Sequence, residues 1–300
     1  MKYIGINFCA HRAEEAVISV RDHGFLYGMG LFETFRTYGG RPPFLLNKHL
    51  DRLRRGCAGL GIPWEAEEQR LLRWIALLMD KNGLQEAYIR YTVTAGEEAL
   101  GLPSGDYGEP CQVLYVKPLP TLPESLYKEG KSLQLLHHRR NTPEGEVRLK
   151  SLHYMNNILA KRELSVYPSA AQGAEGLMLT REGRIAEGIV SNIFWIRNGA
   201  LYTPAVSAGI LPGITREMVL ELAREDGMAV EEGLYEPEAL YAADEAFLTN
   251  SIQELVPVNR LWNTDGQSRM IGTGTAGTIT QRLLQLYRER VKRAHETDAL

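Results

Sequence analysis

Hydrophobic and polar residues alternate over residues 88–94, with Ile89, Tyr91 and Val93 on one side and Tyr88, Arg90, Thr92 and Thr94 on the other. A period of two predicts a strand with one polar face. Residues 111–117 (CQVLYVK) predict a second strand. Upstream, HLDRLRRGCAGLGI sets Leu50, Leu53, Cys57 and Leu60 on one helical stripe, which Gly59, Gly61 and Pro63 end. Residues 69–79 repeat the helical period. Pro118, Pro120 and Pro123 then follow closely. Proline fixes φ and offers no amide donor, so this stretch predicts an extended linker. The expected layout is an N-terminal α/β domain over 1–118, a linker over 119–124 and a C-terminal domain over 125–300.

Beyond the linker the pattern predicts a helix over 152–164 and strands over 177–179 and 184–187, joined at Arg181-Glu182-Gly183. Asn198-Gly199 between apolar runs 193–196 and 201–203 predicts a hairpin. Ile214-Thr215 opens a helix carrying Met218, Val219, Leu222 and Ala223, with Gly227 as its stop. A last helix is expected over 276–292, followed by a polar tail.

Composition narrows the function classes. Lys and Arg number 34 and Asp and Glu 37, a net charge of −3 over 300 residues. That balance gives no general electrostatic grip on nucleic acid. Cys9, Cys57 and Cys111 cannot all pair and lack metal-ligand spacing, so free thiols in a reducing, cytoplasmic setting are expected. The start, MKYIGINFCAHRAEEAV, has no charged segment followed by an apolar run, and no secretory leader is expected. No run of apolar residues is long enough to span a membrane.

Several residues carry candidate chemistry. Lys150 stands in EVRLKSLHYMNN with Leu149 and Leu152 beside it. Desolvation disfavours an ammonium and leaves a nucleophilic amine, although a lysine so placed is more often a solvated surface group. Glu187 ends a strand in RIAEGIVSNIF, ahead of Ser191-Asn192, and a carboxylate there suits a cationic ring nitrogen. Alone, it reads as an ordinary hairpin-edge carboxylate. Gly213-Ile214-Thr215 opens a helix whose amides and dipole favour an anion, and Thr215 equally suits a helix cap. Thr249, Asn250 and Ser251 form a second turn of small hydrogen-bonding residues. Arg52 offers a charged fork to the same anion or, beside Arg54 and Arg55, a solvated helix face. Gly272, Gly274 and Gly277 satisfy G-x-G-x-x-G, but too little chain follows for a dinucleotide-binding unit, so they predict a tight lead into a helix. The histidines, among them His11, His23, His49, His137, His138 and His153, show no metal pattern, and no metal site is expected. No G-x-S-x-G occurs, which disfavours an α/β-hydrolase.

Their order along the chain is more informative than any one of them. DHGFLYGMGLFETFRTYGG, HLDRLRR, RLKS, AEGIVSNIF, LYTP, GILPGITR and ADEAFLTNS, collinear from Asp22 to Val258, resemble the class IV pyridoxal-phosphate aminotransferase family. That family holds branched-chain aminotransferases, D-amino-acid aminotransferases and 4-amino-4-deoxychorismate lyases. The resemblance implies an α+β, fold type IV enzyme in two domains, the smaller N-terminal one α/β and the larger C-terminal one barrel-like. It also implies a homodimer, with the cofactor, pyridoxal 5'-phosphate, between the domains. Lys150 would hold the cofactor as a Schiff base and shuttle the proton. Glu187 would pair with the pyridine nitrogen. Arg52, the amides of Ile214 and Thr215, and Ser251 would hold the phosphate, with Tyr154 and Asn192 bordering the ring.

GLFETFR, RLKSLHYMNNILAKRE and LTNS are most similar to the lyase branch, which implies cleavage of 4-amino-4-deoxychorismate to 4-aminobenzoate and pyruvate. Arg36, Tyr88 and Arg90 are candidate anchors for that dicarboxylate. TAGEEALGLP after the Tyr88 strand lacks the R-x-H pair of D-amino-acid enzymes, whereas Tyr88 and Arg90 match the branched-chain pattern and keep that activity as the alternative. Two departures stand out. Met29 replaces the acidic residue common between the two glycines, and Ser251 replaces a threonine while keeping the hydroxyl.

Overall fold

The computed structural model describes residues 1–297 and divides the chain into two compact units. Unit 1 comprises Met1–Pro120, Leu149–His153 and residues 294–297; unit 2 comprises Thr121–Arg148 and Tyr154–Arg293. The break at Pro120 falls inside the proline-rich stretch.

Unit 1 runs β1 (Tyr3–Ile6), β2 (Cys9–Arg12), α1 (His23–Tyr27), β3 (Gly30–Arg36), α2 (Leu46–Gly59), α3 (Glu68–Asn82), β4 (Tyr88–Thr94) and β5 (Cys111–Lys117). The strands form one antiparallel sheet in the order β2-β1-β5-β4-β3. The alternation along β4 places Ile89, Tyr91 and Val93 in a core with Leu31 and Phe35 of β3, Leu50, Leu53 and Cys57 of α2, and Trp74 and Leu78 of α3. Gly56 permits the close approach of α2, since a Cβ there would lie 2.4 Å from Leu31 Cδ1. The opposite face is polar in composition yet not uniformly exposed, because Phe32, Thr92 and Val113 are also buried.

Residues 149–153, expected within the C-terminal stretch, belong to unit 1. Phe32 N donates to Lys150 O (2.9 Å), Leu152 N donates to Gly30 O (3.0 Å), and Leu31 bridges Ser151 antiparallel. The helix expected over 152–164 therefore starts later, because its first residues are spent pairing with β3.

Unit 2 runs α4 (Glu124–Glu129), β6 (Lys131–Leu135), α5 (Met155–Leu164), β7 (Glu175–Leu179), β8 (Ile185–Gly188), β9 (Asn192–Arg197), β10 (Ala200–Pro204), α6 (Ile214–Glu225), β11 (Val230–Gly233), α7 (Glu238–Tyr241), β12 (Glu245–Asn250), β13 (Glu254–Trp262), β14 (Ser268–Met270) and α8 (Thr278–Thr297). The linker expectation is corrected at its end, where Glu124 begins α4 after Pro123. The Asn198-Gly199 hairpin joins β9 to β10, with φ of 52° and 76° as such a turn requires. Gly272 and Gly274 do lead into a helix, and α8 runs beyond residue 292 to Thr297; the rest of the expected polar tail lies outside the described residues.

The sheet order β11-β10-β9-β12-β13-β6-β7-β8 is curled into a half-barrel, so that β8 at one end lies beside β9 and β10 near the other. Leu133, Leu177, Ile193, Trp195 and Leu248 share one core. Asn192, Phe194, Phe247 and Thr249 point to the opposite face, in the register Asn192 to Thr249 and Phe194 to Phe247, where α6 packs on β12. Met178 and Ile189 join Ala160 and Leu164 of α5 in a second core.

Candidate functional site

In unit 1, β3 presents alternate residues to its two faces. Glu33, on the face toward α2, is 1% exposed. Arg52 grips it with two parallel hydrogen bonds, Nε to Oε1 and Nη2 to Oε2, both 2.7 Å. His49 Nδ1 donates to Glu33 Oε2 at 2.7 Å. Burial alone would raise the Glu33 pKa, but Arg52 and His49 outweigh it and hold the carboxyl at about 2. Burial pushes the His49 pKa below its ordinary value despite Glu33, so the imidazole is neutral and carries its proton on Nδ1. Arg52 is thus no solvated helix-face residue: its side chain is 13% exposed, against 46% for Arg54.

Phe32 points to the other face. The Lys150 ammonium lies 4.7 Å from its ring centroid and the Arg90 guanidinium 3.5 Å. Lys150 is half-buried, its backbone fixed by β3. Arg36 and Tyr88 are cross-strand partners, and Arg90 pairs with Thr34 in the same register, so all three candidate anchors share this face. Arg36 covers the Tyr38 ring at 4.6 Å, and Lys117 covers Tyr88 at 4.4 Å. Met29 packs against the unit 1 core, a use that needs no charge.

In unit 2, Glu187 on β8 is 4% exposed. Its Oε1 accepts from Arg140 Nε (2.7 Å), and its Oε2 accepts from Leu211 N (3.0 Å) and Asn192 Nδ2 (3.3 Å). Arg148 Nε lies 3.9 Å from Oε1. Arg140 is held in turn by Asn156 (2.9 Å) and Asn157 (3.2 Å) of α5. Arg148 Nε donates to Gly209 O at 2.6 Å, and its Nη2 donates to Asn141 O. Burial, with Arg140 nearby, lowers the Arg148 pKa to about 10, which leaves it charged at neutral pH.

Gly213 begins α6 with no side-chain cap among the described residues. A Cβ there would meet Asn192 Oδ1 at 2.1 Å, so Asn192 packs directly against the helix start. Thr215 Oγ1 and Ser251 Oγ lie 3.4 Å apart. Ser191 Oγ and Thr249 Oγ1 are buried without a hydrogen-bond partner among the described residues. Tyr154 is half-buried at the start of α5. A buried carboxylate, an uncapped helix start and a set of hydroxyls, two of them unpartnered, thus gather around one end of the curled sheet. This donor set suits a ligand with a basic ring nitrogen and a phosphate.

The structure assembles Glu187, Asn192, Ile214, Thr215 and Ser251 within unit 2, and Lys150, Arg52, Arg36, Tyr88 and Arg90 within unit 1. Sequence reasoning missed Arg140 and Arg148, which hide in HHRRN and EVRLK with no periodic signal. It also missed Glu33, although a carboxylate at a core position of an apolar strand is a visible anomaly.

The pattern of the family described as Amino-transferase class IV matches residues 30–261. The aminodeoxychorismate lyase of Bacillus subtilis (strain 168) is 40% identical over 281 residues, covering 93% of this chain and 91% of that one. The crystal structure of 4-amino-4-deoxychorismate lyase from Pseudomonas aeruginosa superposes with a TM-score of 0.80 at 31% identity, covering 95% of this chain and 98% of that one. The branched-chain amino acid aminotransferase of Thermobaculum terrenum in its PLP form gives a TM-score of 0.77 at 29% identity, covering 96% and 93%. These similarities, and the match over most of its length, make the chain a member of the class IV aminotransferase family, with the fold type IV architecture of that family.

Proposed function

We infer that this protein is a pyridoxal 5'-phosphate-dependent lyase that cleaves 4-amino-4-deoxychorismate to 4-aminobenzoate and pyruvate. The observation that carries this reading is the 40% identity to the Bacillus subtilis lyase across nearly the whole chain, against 35% to a putative branched-chain-amino-acid aminotransferase of Methanocaldococcus jannaschii. When bound, the cofactor supplies an electron sink for the negative charge left at the substrate's amine-bearing carbon. Lys150 Nζ is the amine that holds the cofactor and then takes the proton from that carbon. Glu187 would pair with the ring nitrogen and keep a proton there, with Arg140 and Asn192 fixing its orientation. Thr215, Ser251, the first amides of α6 and Arg52 hold the phosphate. Tyr154 borders the ring. Arg36, Tyr88 and Arg90 bind the carboxylates of the substrate.

We propose that two copies work together, since α5 exposes Met155, Ile158 and Leu159 along one stripe, at 74%, 55% and 41%. Three free thiols support a cytoplasmic setting. No helix among the described residues is long and apolar enough to cross a membrane.

The test is turnover of 4-amino-4-deoxychorismate, generated in place by its synthase, with both products quantified. Equal, cofactor-dependent release of 4-aminobenzoate and pyruvate is expected, and Lys150→Ala should abolish it. Absence of both products from cofactor-loaded protein would shift the assignment to branched-chain transamination, which the Tyr88 and Arg90 pair would serve.

A further inference from the structure

Glu254 is the first residue of β13 and adopts φ of +61° while only 4% exposed. A side chain with a Cβ is strained in the left-handed region, where glycine is the usual occupant. The residue closes the turn Ser251–Gln253, since Asn250 and Glu254 are the last paired residues of β12 and β13. The side chains of Asn250, Lys131 and Arg288 brace that turn. Asn250 Oδ1 accepts from Ile252 N (3.0 Å) and Gln253 N (2.8 Å). Lys131 Nζ donates to Gln253 Oε1 at 3.1 Å. Arg288 Nε donates to Glu254 Oε2 at 2.8 Å, and the guanidinium sits 4.4 Å from the centroid of the Tyr127 ring.

We infer that Glu254 is a positioning residue: its left-handed backbone, pinned through its carboxylate by Arg288, sets the turn that aims the Ser251 hydroxyl at the cofactor's phosphate. The inference rests on the reading that Ser251 holds that phosphate. If the φ of Glu254 relaxed, the peptide ahead of it would rotate, and Ser251 would leave its place 3.4 Å from Thr215 Oγ1 at the start of α6. A glycine would satisfy the backbone alone; the buried ion pair also removes the freedom that a glycine would retain.

The test titrates the full-length apo-protein with pyridoxal 5'-phosphate and, separately, with pyridoxal, which lacks the phosphate, following absorbance of the bound aldehyde. Glu254→Ala should raise the Kd for the phosphate ester about tenfold, the equivalent of the left-handed strain of one residue, and leave that for pyridoxal unchanged. Glu254→Gly should restore phosphate-ester binding to near the wild-type value. Arg288→Met should weaken it, and adding Glu254→Gly to Arg288→Met should recover it. Equal losses for pyridoxal, or a Glu254→Gly variant as weak as Glu254→Ala, would overturn the inference. Ser251→Ala separates the two levels. If it weakens phosphate-ester binding while Glu254→Ala does not, the inference alone fails. If Ser251→Ala binds as wild type, the reading beneath it fails as well.

Discussion

Unit 1 buries Glu33 against arginine and unit 2 buries Glu187 against arginine, and these two clusters are built differently. Glu33 meets one bidentate arginine and a neutral histidine, so its formal charges balance. Glu187 meets one arginine at 2.7 Å and a second at 3.9 Å, and the hydroxyls of Ser191 and Thr249 have no partner among the described residues. A balanced, fully bonded cluster locks a strand to a helix and holds Arg52 in one orientation. Buried hydroxyls without a protein partner, by contrast, are costly until a ligand bonds to them.

The largest effect should come from Glu187→Gln, which keeps the shape but removes the charge between Arg140 and Arg148. Turnover should fall by roughly 10³-fold, the scale of losing one charge-stabilising partner, and the melting temperature should fall as well, since buried Arg140 loses its counter-charge. Steady-state kinetics at saturating cofactor check this, and wild-type turnover would erase the distinction between the clusters. Glu33→Ala should act chiefly on stability. It removes the carboxylate from a buried pair and should cost about 3–5 kcal/mol of stability, read from urea unfolding.

The pH dependence sharpens the contrast. Glu33 titrates at about 2 in the folded state against 4.5 ordinarily, so the unfolded chain binds more protons between these values. Its contribution, about 3 kcal/mol, is present above pH 4.5 and is lost as pH falls toward 2. His49, with a lowered pKa, adds a loss of the same sign that begins as pH falls through 6.5. The stability gap between wild type and Glu33→Gln should therefore shrink from pH 6 to pH 3, and a constant gap would contradict the charged cluster. The smallest effect belongs to Thr249→Val. Its hydroxyl bonds to no group among the described residues, so melting temperature should hold or rise, while affinity for the phosphate ester drops by about 0.5–1.5 kcal/mol if the hydroxyl serves the ligand.

Much of this was legible in the chain. The β4 alternation, the α2 stripe, the Asn198-Gly199 turn and the start of α6 at Ile214 are local patterns, and local sterics and periodicity decide them. The helix expected from residue 152 starts at Met155, because Lys150, Ser151 and Leu152 pair with β3, a partner more than a hundred positions away that no period announces. Glu187 was recognisable as a candidate, but its partners Arg140 and Arg148 were not, since they come from loop residues before β7.

By itself, then, the sequence determined which chemical groups the protein owns, their order, and the elements that carry them, because side-chain chemistry and short-range periodicity are written residue by residue. Only the tertiary structure decided which carboxylate meets which arginine, that Lys150 is held by β3 over Phe32, and that Glu254 is forced into a left-handed turn beside Ser251. Those outcomes depend on sheet register and on the curl that returns β8 to β9, and register is settled by the whole core at once.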